Sequence, residues 1–190
     1  MRSAQPRGDR RVQRTRDSLR AAFVALMAER GWDRVSVQDV CDRANVGRST
    51  FYTHFADKEE LVAGGLEDLR RALLARSRAE ASAAAMPLGF ARGLIEHADE
   101  QRRLFRAVVG RRSAHFVQSR FRKMVLGLVE EDLTNHGFDV KAAAPLAHFL
   151  AGALIELLTW WLEHRDPVTP AELEGLFLRL SRPALAAAGR

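Results

Sequence analysis

Apolar positions along the chain recur at three- and four-residue intervals, with no sustained alternation of apolar and polar residues, so helices are predicted throughout. Leu19, Phe23, Leu26 and Met27 form the first stripe. They predict a helix from about Thr15 to Arg30, with Gly31 as its C-terminal cap. Ser36 followed by Asp39 has the form of a capping box with Asp in place of Glu, and opens a second helix with Val37, Val40 and Ala44 inward. After the turn "ANVG" comes a short third helix, about Arg48 to His54. Asp57 caps a fourth, with Glu60 at its third position and the stripe Leu61, Leu66, Leu69 and Leu73. The Ala-rich stretch 77–87 reads as a loop or the frayed end of that helix. Helical patterns follow over "LGFARGLIEHA" and "EQRRLFRAVVG", over 114–136 with Gly137 beyond its end, and over 142–164. Thr169, Pro170 and Glu172 then start a last helix carrying Leu173, Leu176, Phe177 and Leu180, which Pro183 ends or kinks. The whole predicts an all-α chain: an N-terminal three-helix, helix-turn-helix head and a C-terminal helical-bundle body. The expected divisions are a flexible basic arm over 1–13, a head over 14–62 and a body over 63–190.

Composition narrows the class. Hydrophobic residues make up 47% of the 190, enough to build a core. The single cysteine, Cys41, excludes an intrachain disulfide framework or a multi-cysteine zinc site, and fits a reducing compartment. No apolar run is expected to reach the roughly 18 residues needed to span a bilayer, and the basic N-terminus lacks a following apolar signal segment. The expected location is therefore the cytoplasm, with no membrane partner. The net charge of +6 is lopsided: residues 1–58 hold 12 Lys+Arg against 7 Asp+Glu, while residues 59–190 hold 18 against 17. A basic first third is what a polyanion-binding module has.

The chemistry of that third is specific. Two short helices joined by a tight turn form a helix-turn-helix, and Asn45 stands where the turn needs a left-handed residue. Phe51 and Phe55, four apart, face the core. Arg48, Ser49, Tyr52 and Thr53 lie on the other side, where they suit base edges and phosphates of a DNA major groove. Arg48 can bind guanine bidentately, the Thr53 methyl can meet a thymine methyl, and His54 and Lys58 suit phosphates. The stretch "VSVQDVCDRANVGRSTFYTHFADKEELV", preceded by "TRDSLRAAFVALMAERGWD", resembles the DNA-binding domain of the TetR/AcrR family of transcriptional regulators. Cys41 and Asn45 depart from the family's usual Ala and Gly. By position the resemblance implies DNA contacts at Ser36 and Gln38, at Arg48, Ser49, Tyr52, Thr53 and His54, and a phosphate contact at Lys58.

For the body, the resemblance implies a ligand-binding and dimerisation domain. It also implies a homodimeric regulator on a double-stranded operator, released by a small-molecule effector that moves helix four. Repression is the commoner mode in the family; activation, or a helical interaction protein without a ligand, are the alternatives. Candidate pocket residues are His97, Phe105, His115, Phe116, Phe121, Met124, Phe149, Glu156 and Trp160, each of which core packing would also explain. On helix 142–164, Leu146, Leu150, Ala153, Leu157 and Trp161 can face the core. Ala147, Ala151, Gly152, Ile155 and Thr159, with Leu173, Leu176, Phe177 and Leu180, are then the expected dimer face. No Gly-rich phosphate loop, nucleophile elbow or triad spacing points to an enzyme, the six histidines show no metal-ligand spacing, and no cofactor is expected.

Overall fold

The computed structural model describes residues 7–80, 87–109, 115–164 and 168–188. Among them the elements are α1 (Arg7–Arg30), a 3-10 turn (Trp32–Arg34), α2 (Val37–Ala44), α3 (Arg48–His54), α4 (Lys58–Glu80), α5 (Phe90–Glu100), α6 (Arg102–Val109), α7 (His115–Asn135), α8 (Val140–Glu163) and α9 (Pro170–Ala188). The described residues hold no strand. The chain forms two compact units, Met1–Gly65 and Leu66–Arg190, and the division falls within α4.

In the head, α1 packs on α2 and α2 on α3. Leu19, Phe23, Leu26, Met27, Trp32, Val35, Val40, Cys41, Phe51, Phe55, Leu61 and Val62 fill its core. Helix one begins earlier than expected. Arg7–Gln13 are helical rather than a flexible arm. After Gly8 the run holds no helix breaker and is rich in Arg, a good helix former. Gln13 also donates to Asp17 one turn on, at 2.8 Å. The rest of the expected arm, 1–6, lies outside the described residues. Gly31 ends α1 at φ 74°, a conformation glycine adopts without steric cost.

The body is built round α8, which packs on α6, α7, α5 and α9. Ala143, Ala147, Leu150, Ala151, Leu154, Ile155, Leu158, Trp161 and Leu162 are its buried stripe. By length and composition Ala143–Glu163 could cross a bilayer, contrary to the expectation that no run would; here its stripe is the centre of the body's core. The last carbonyls of α8, which a helix leaves without internal donors, are met from α6. Arg102 donates to Trp161 O at 2.8 Å and His164 O at 3.3 Å, and Arg106 to Leu162 O at 2.6 Å. Thr169 and Glu172 form the expected cap of α9. Pro183, expected to end or kink that helix, lies inside it.

The body-side part of α4 is held by charge as well as by Leu73 and Leu74. Glu131 of α7 accepts from Arg70 at 2.6 Å and Arg78 at 2.9 Å, and Glu96 of α5 pairs with Arg76 at 2.6 Å. Beside Glu131, buried Asp132 accepts from the amide of Leu88. Leu88 is fully buried at φ 79°, a left-handed conformation unusual for a branched residue. Burial pushes the Asp132 carboxyl above its ordinary range.

Candidate nucleic-acid interface

The helix-turn-helix is set by two local devices. At the start of α2, Asp39 N–H donates to Ser36 Oγ at 3.2 Å, and Asp39's carboxylate accepts from Ser36 N–H at 2.8 Å. The hydrogen bonds from the Ser36 side chain and backbone hold that carboxyl below its usual range. At the end of α2, Asn45 sits at φ 52°, ψ 48°. Val46 N–H reaches Cys41 O at 3.0 Å and Asn45 N–H reaches Asp42 O at 3.2 Å, the paired bonds of a Schellman motif. This closes the turn and starts α3 three residues later. Cys41 is 1% exposed, and burial pushes its thiol up, away from the reactive thiolate.

On α3 the faces separate cleanly. Phe51 and Phe55 are buried, while Arg48, Ser49, Thr50, Tyr52 and Thr53 are exposed and His54 is half-buried. At about 100° per residue, Ser49 and Thr53 point farthest from the Phe51–Phe55 side. Arg48 and Tyr52 flank that pole on one side, Thr50 and His54 on the other. Thr50 was not among the expected contacts; its place in the third position of a short polar helix was the available signal. Arg48 Nη2 donates to Tyr52 Oη at 3.2 Å, which raises the guanidinium's pKa further. The exposed Thr53 donates its hydroxyl to Ser49 O at 3.0 Å, and that oxygen can still accept.

The other expected contacts are placed differently. Gln38 is exposed but donates to Asp42 at 2.7 Å. The Ser36 hydroxyl belongs to the capping box. Lys58, expected at a phosphate, is turned inward: Nζ donates to Trp32 O at 3.3 Å and Val35 O at 3.2 Å and lies 4.0 Å from the Trp32 ring centroid. The physical reason is that the 3-10 turn ends in carbonyls a cation can satisfy, beside an aromatic face. Lys58 thus fastens the 32–35 turn to the start of α4. The shallow hollow there, about 520 Å³, is lined by the carboxylates of Asp33, Asp57 and Glu59 as well as by Arg34 and Lys58.

The exposed arginines Arg10, Arg11 and Arg14 stand on the N-terminal turns of α1. Changing all three to Gln is expected to weaken binding to every duplex alike. It should also flatten the salt dependence by about 0.9 in log–log slope for each phosphate left unneutralised. Titrations at several salt concentrations measure this; an unchanged slope would show that these turns do not touch DNA.

In the body, the expected pocket residues do not come together. Phe105, Phe121 and Met124 are core; His97 and Phe116 are half-buried; His115, Phe149, Glu156 and Trp160 are exposed. His97 stands edge-on to Phe105 with ring centroids 5.6 Å apart, and burial lowers its pKa. A cleft of about 320 Å³ opens instead between α6, α7 and α8, lined by Val108, Val109, Gln118, Phe121, Arg122, Ile155, Glu156 and Thr159. Only Phe121 and Glu156 of the expected set line it. The aromatics failed as markers because large apolar side chains on helices fill cores before they fill pockets. Among the described residues, no group of three or more His, Cys, Asp or Glu could hold a metal ion.

The expected dimer face is also corrected. Ala147, Ala151, Ile155, Leu173 and Phe177 are in the chain's own core, Gly152, Thr159 and Leu176 are half-buried, and Leu180 is 62% exposed. The exposed pole of α8 instead carries Phe149, 58% exposed, and Trp160, 39% exposed.

The sequence pattern of the bacterial regulatory proteins, tetR family, matches residues 19–64, the segment that builds this head. A TetR transcriptional regulator from Streptococcus agalactiae 2603V, 26% identical, superposes over 92% of this chain and 97% of that one with TM-score 0.66. The head carries the DNA-binding segment of the tetR family. The described residues share that regulator's all-α architecture with an N-terminal helix-turn-helix. The HTH-type transcriptional repressor KstR2 of Mycobacterium tuberculosis is 36% identical over 84 residues, 44% of this chain and 42% of that one. The matched segments span less than half the length of the curated relatives. The regulator FadR from Bacillus subtilis, solved in complex with stearoyl-CoA, shares the fold at 18% identity and TM-score 0.59 over 87% of this chain and 96% of that one.

Proposed function

We propose that this chain is a tetR-family repressor that binds a roughly palindromic operator as a homodimer and is released by a small molecule bound in the body. The observation that carries the reading is α3. Its buried side is fixed by Phe51 and Phe55, and its solvent side is a continuous row of hydrogen-bonding groups, from Arg48 to Thr53, suited to a major groove. Arg48, Ser49, Thr50 and Thr53 read base edges in this proposal, and His54 and the α1 arginines meet phosphates. KstR2 is named a repressor, which favours repression over activation.

The 320 Å³ cleft is the effector site of this reading. Pockets of this kind are largely apolar with a few polar anchors, and Val108, Val109, Phe121 and Ile155 supply the floor while Gln118, Arg122, Glu156 and Thr159 supply the anchors. FadR's complex with stearoyl-CoA is a family-fold precedent for a ligand combining an apolar chain with anionic groups. An effector acts only by binding two states unequally. The element it biases in this proposal is α4, whose body-side half is tied to α7 and α5 by the ion pairs of Glu131 and Glu96.

In vitro transcription tests the direction of control. From a promoter overlapping the sequence that the chain selects from random duplexes, transcript is expected to fall as the chain is added. A rise would make it an activator.

A further inference from the structure

Arg48 and Tyr52 stand one turn apart on α3, joined by a hydrogen bond. The geometry points to a single unit in which Tyr52 is a positioning residue that holds the Arg48 guanidinium for one guanine in each half-site. The inference rests on α3 being the recognition helix.

The unit is built outward from the core. Phe51 is fully buried, and the Tyr52 ring stands edge-on against it, with centroids 5.4 Å apart and planes at 85°. Tyr52 is nevertheless 49% exposed, so its hydroxyl end reaches solvent. Arg48, one turn earlier, donates Nη2 to that hydroxyl at 3.2 Å, and its guanidinium carbon lies 5.8 Å from the ring centroid. The chain of contacts therefore runs from a rigid core ring to a half-exposed ring to a long flexible side chain.

What the brace changes is the cost of order. A free arginine at the tip of a helix samples many rotamers, and a base contact must freeze them. A guanidinium already aligned by a hydroxyl loses less freedom on binding. Arg48 is otherwise uncommitted, unlike Arg43 and Arg30, which pair with Glu29 at 2.7 Å and Asp39 at 3.3 Å. One of its five N–H donors goes to Tyr52, and the others still provide a two-donor edge. Guanine O6 and N7 accept such an edge in the major groove. A phosphate accepts it too, so a base-resolved measurement has to separate the two.

The test is selection from a randomised duplex library with the full chain and three variants, Arg48→Ala, Tyr52→Phe and the double. Tyr52→Phe removes the hydroxyl while keeping the ring against Phe51, and circular dichroism confirms that each variant folds. The wild type is expected to enrich a motif with one strongly preferred guanine per half-site. Arg48→Ala lowers preference for that guanine by about ten- to a hundredfold. Tyr52→Phe lowers preference at the same position by about three- to tenfold and leaves the other positions unchanged. The double variant is no worse than Arg48→Ala alone, because the hydroxyl then has nothing to hold. Uniform weakening of all sequences by Tyr52→Phe, an effect at a different position, additive losses in the double variant, or an Arg48→Ala profile with every position intact would each overturn the coupling. A wild type that enriches no sequence would overturn the operator reading itself.

Discussion

In the proposed homodimer, changing Phe149 and Trp160 together to Glu should give a folded monomer whose operator affinity is more than about a hundredfold lower. On α8 these residues, with Ala153 and Glu156 between them, follow intervals of four, three and four, the spacing of a helix–helix seam. The opposite side of the same helix is already committed to the chain's core, from Ala147 to Trp161. Large apolar groups left exposed on one side of such a helix mark an interaction surface. Leu180 of α9, 62% exposed, supplies a further apolar group for the partner to cover. Gly152 beside the seam has nothing within 4 Å of where a Cβ would stand, so a partner backbone has room to approach. Because the substituted side chains are exposed in the single chain, the variant should keep its helical circular dichroism while sedimentation reports a monomer. The affinity loss follows from replacing one two-headed molecule by two independent ones. A variant that remains dimeric at micromolar concentration would place the interface elsewhere.

The second large effect separates neighbours on α3. Phe51→Ala should cost about 3–5 kcal/mol, the range for deleting a fully buried phenyl ring. A head of this size has little stability to lose, so most of that loss would appear as unfolding. Thermal circular dichroism is expected to show a separate low-temperature transition, and amide exchange in residues 15–62 should accelerate while the body stays protected. Tyr52→Ala, one residue on, should leave the melting of the head within about 1 kcal/mol of wild type and damage DNA binding instead. Equal protection of the head in wild type and Phe51→Ala would show that the ring is not central to its core.

The head was legible in the sequence because its signals are local and chemically distinct. Ser36 with Asp39 forms a cap, Asn45 tolerates the left-handed conformation, and Phe51 in α3 and Phe55 at its end are apolar one turn apart. Lys58 was misread because its partners are carbonyls, at Trp32 and Val35, which a sequence does not display. The N-terminal turns of α1 were missed because Gly8 and a dense run of arginines resemble a tail, although each Arg is a good helix former. The face of α8 was read about a quarter turn away from its true orientation. A helix rich in Ala and Leu on every side gives no amphipathic gradient. The usable markers were the few polar positions, His148, Glu156 and Glu163, which share the exposed side with Phe149 and Trp160. The cleft beside α8 was illegible for a related reason: it exists where three helices fail to fill space, and no residue type announces that.

Hydroxyl-radical and methylation footprinting of the wild-type chain on its selected duplex decides whether α3 reads a major groove. Two patches of major-groove protection are expected on one face of the duplex, related by a dyad and centred about one helical turn or more apart, each containing the guanine whose N7 is shielded by Arg48. Uniform protection along the duplex, or protection confined to minor grooves, would contradict it.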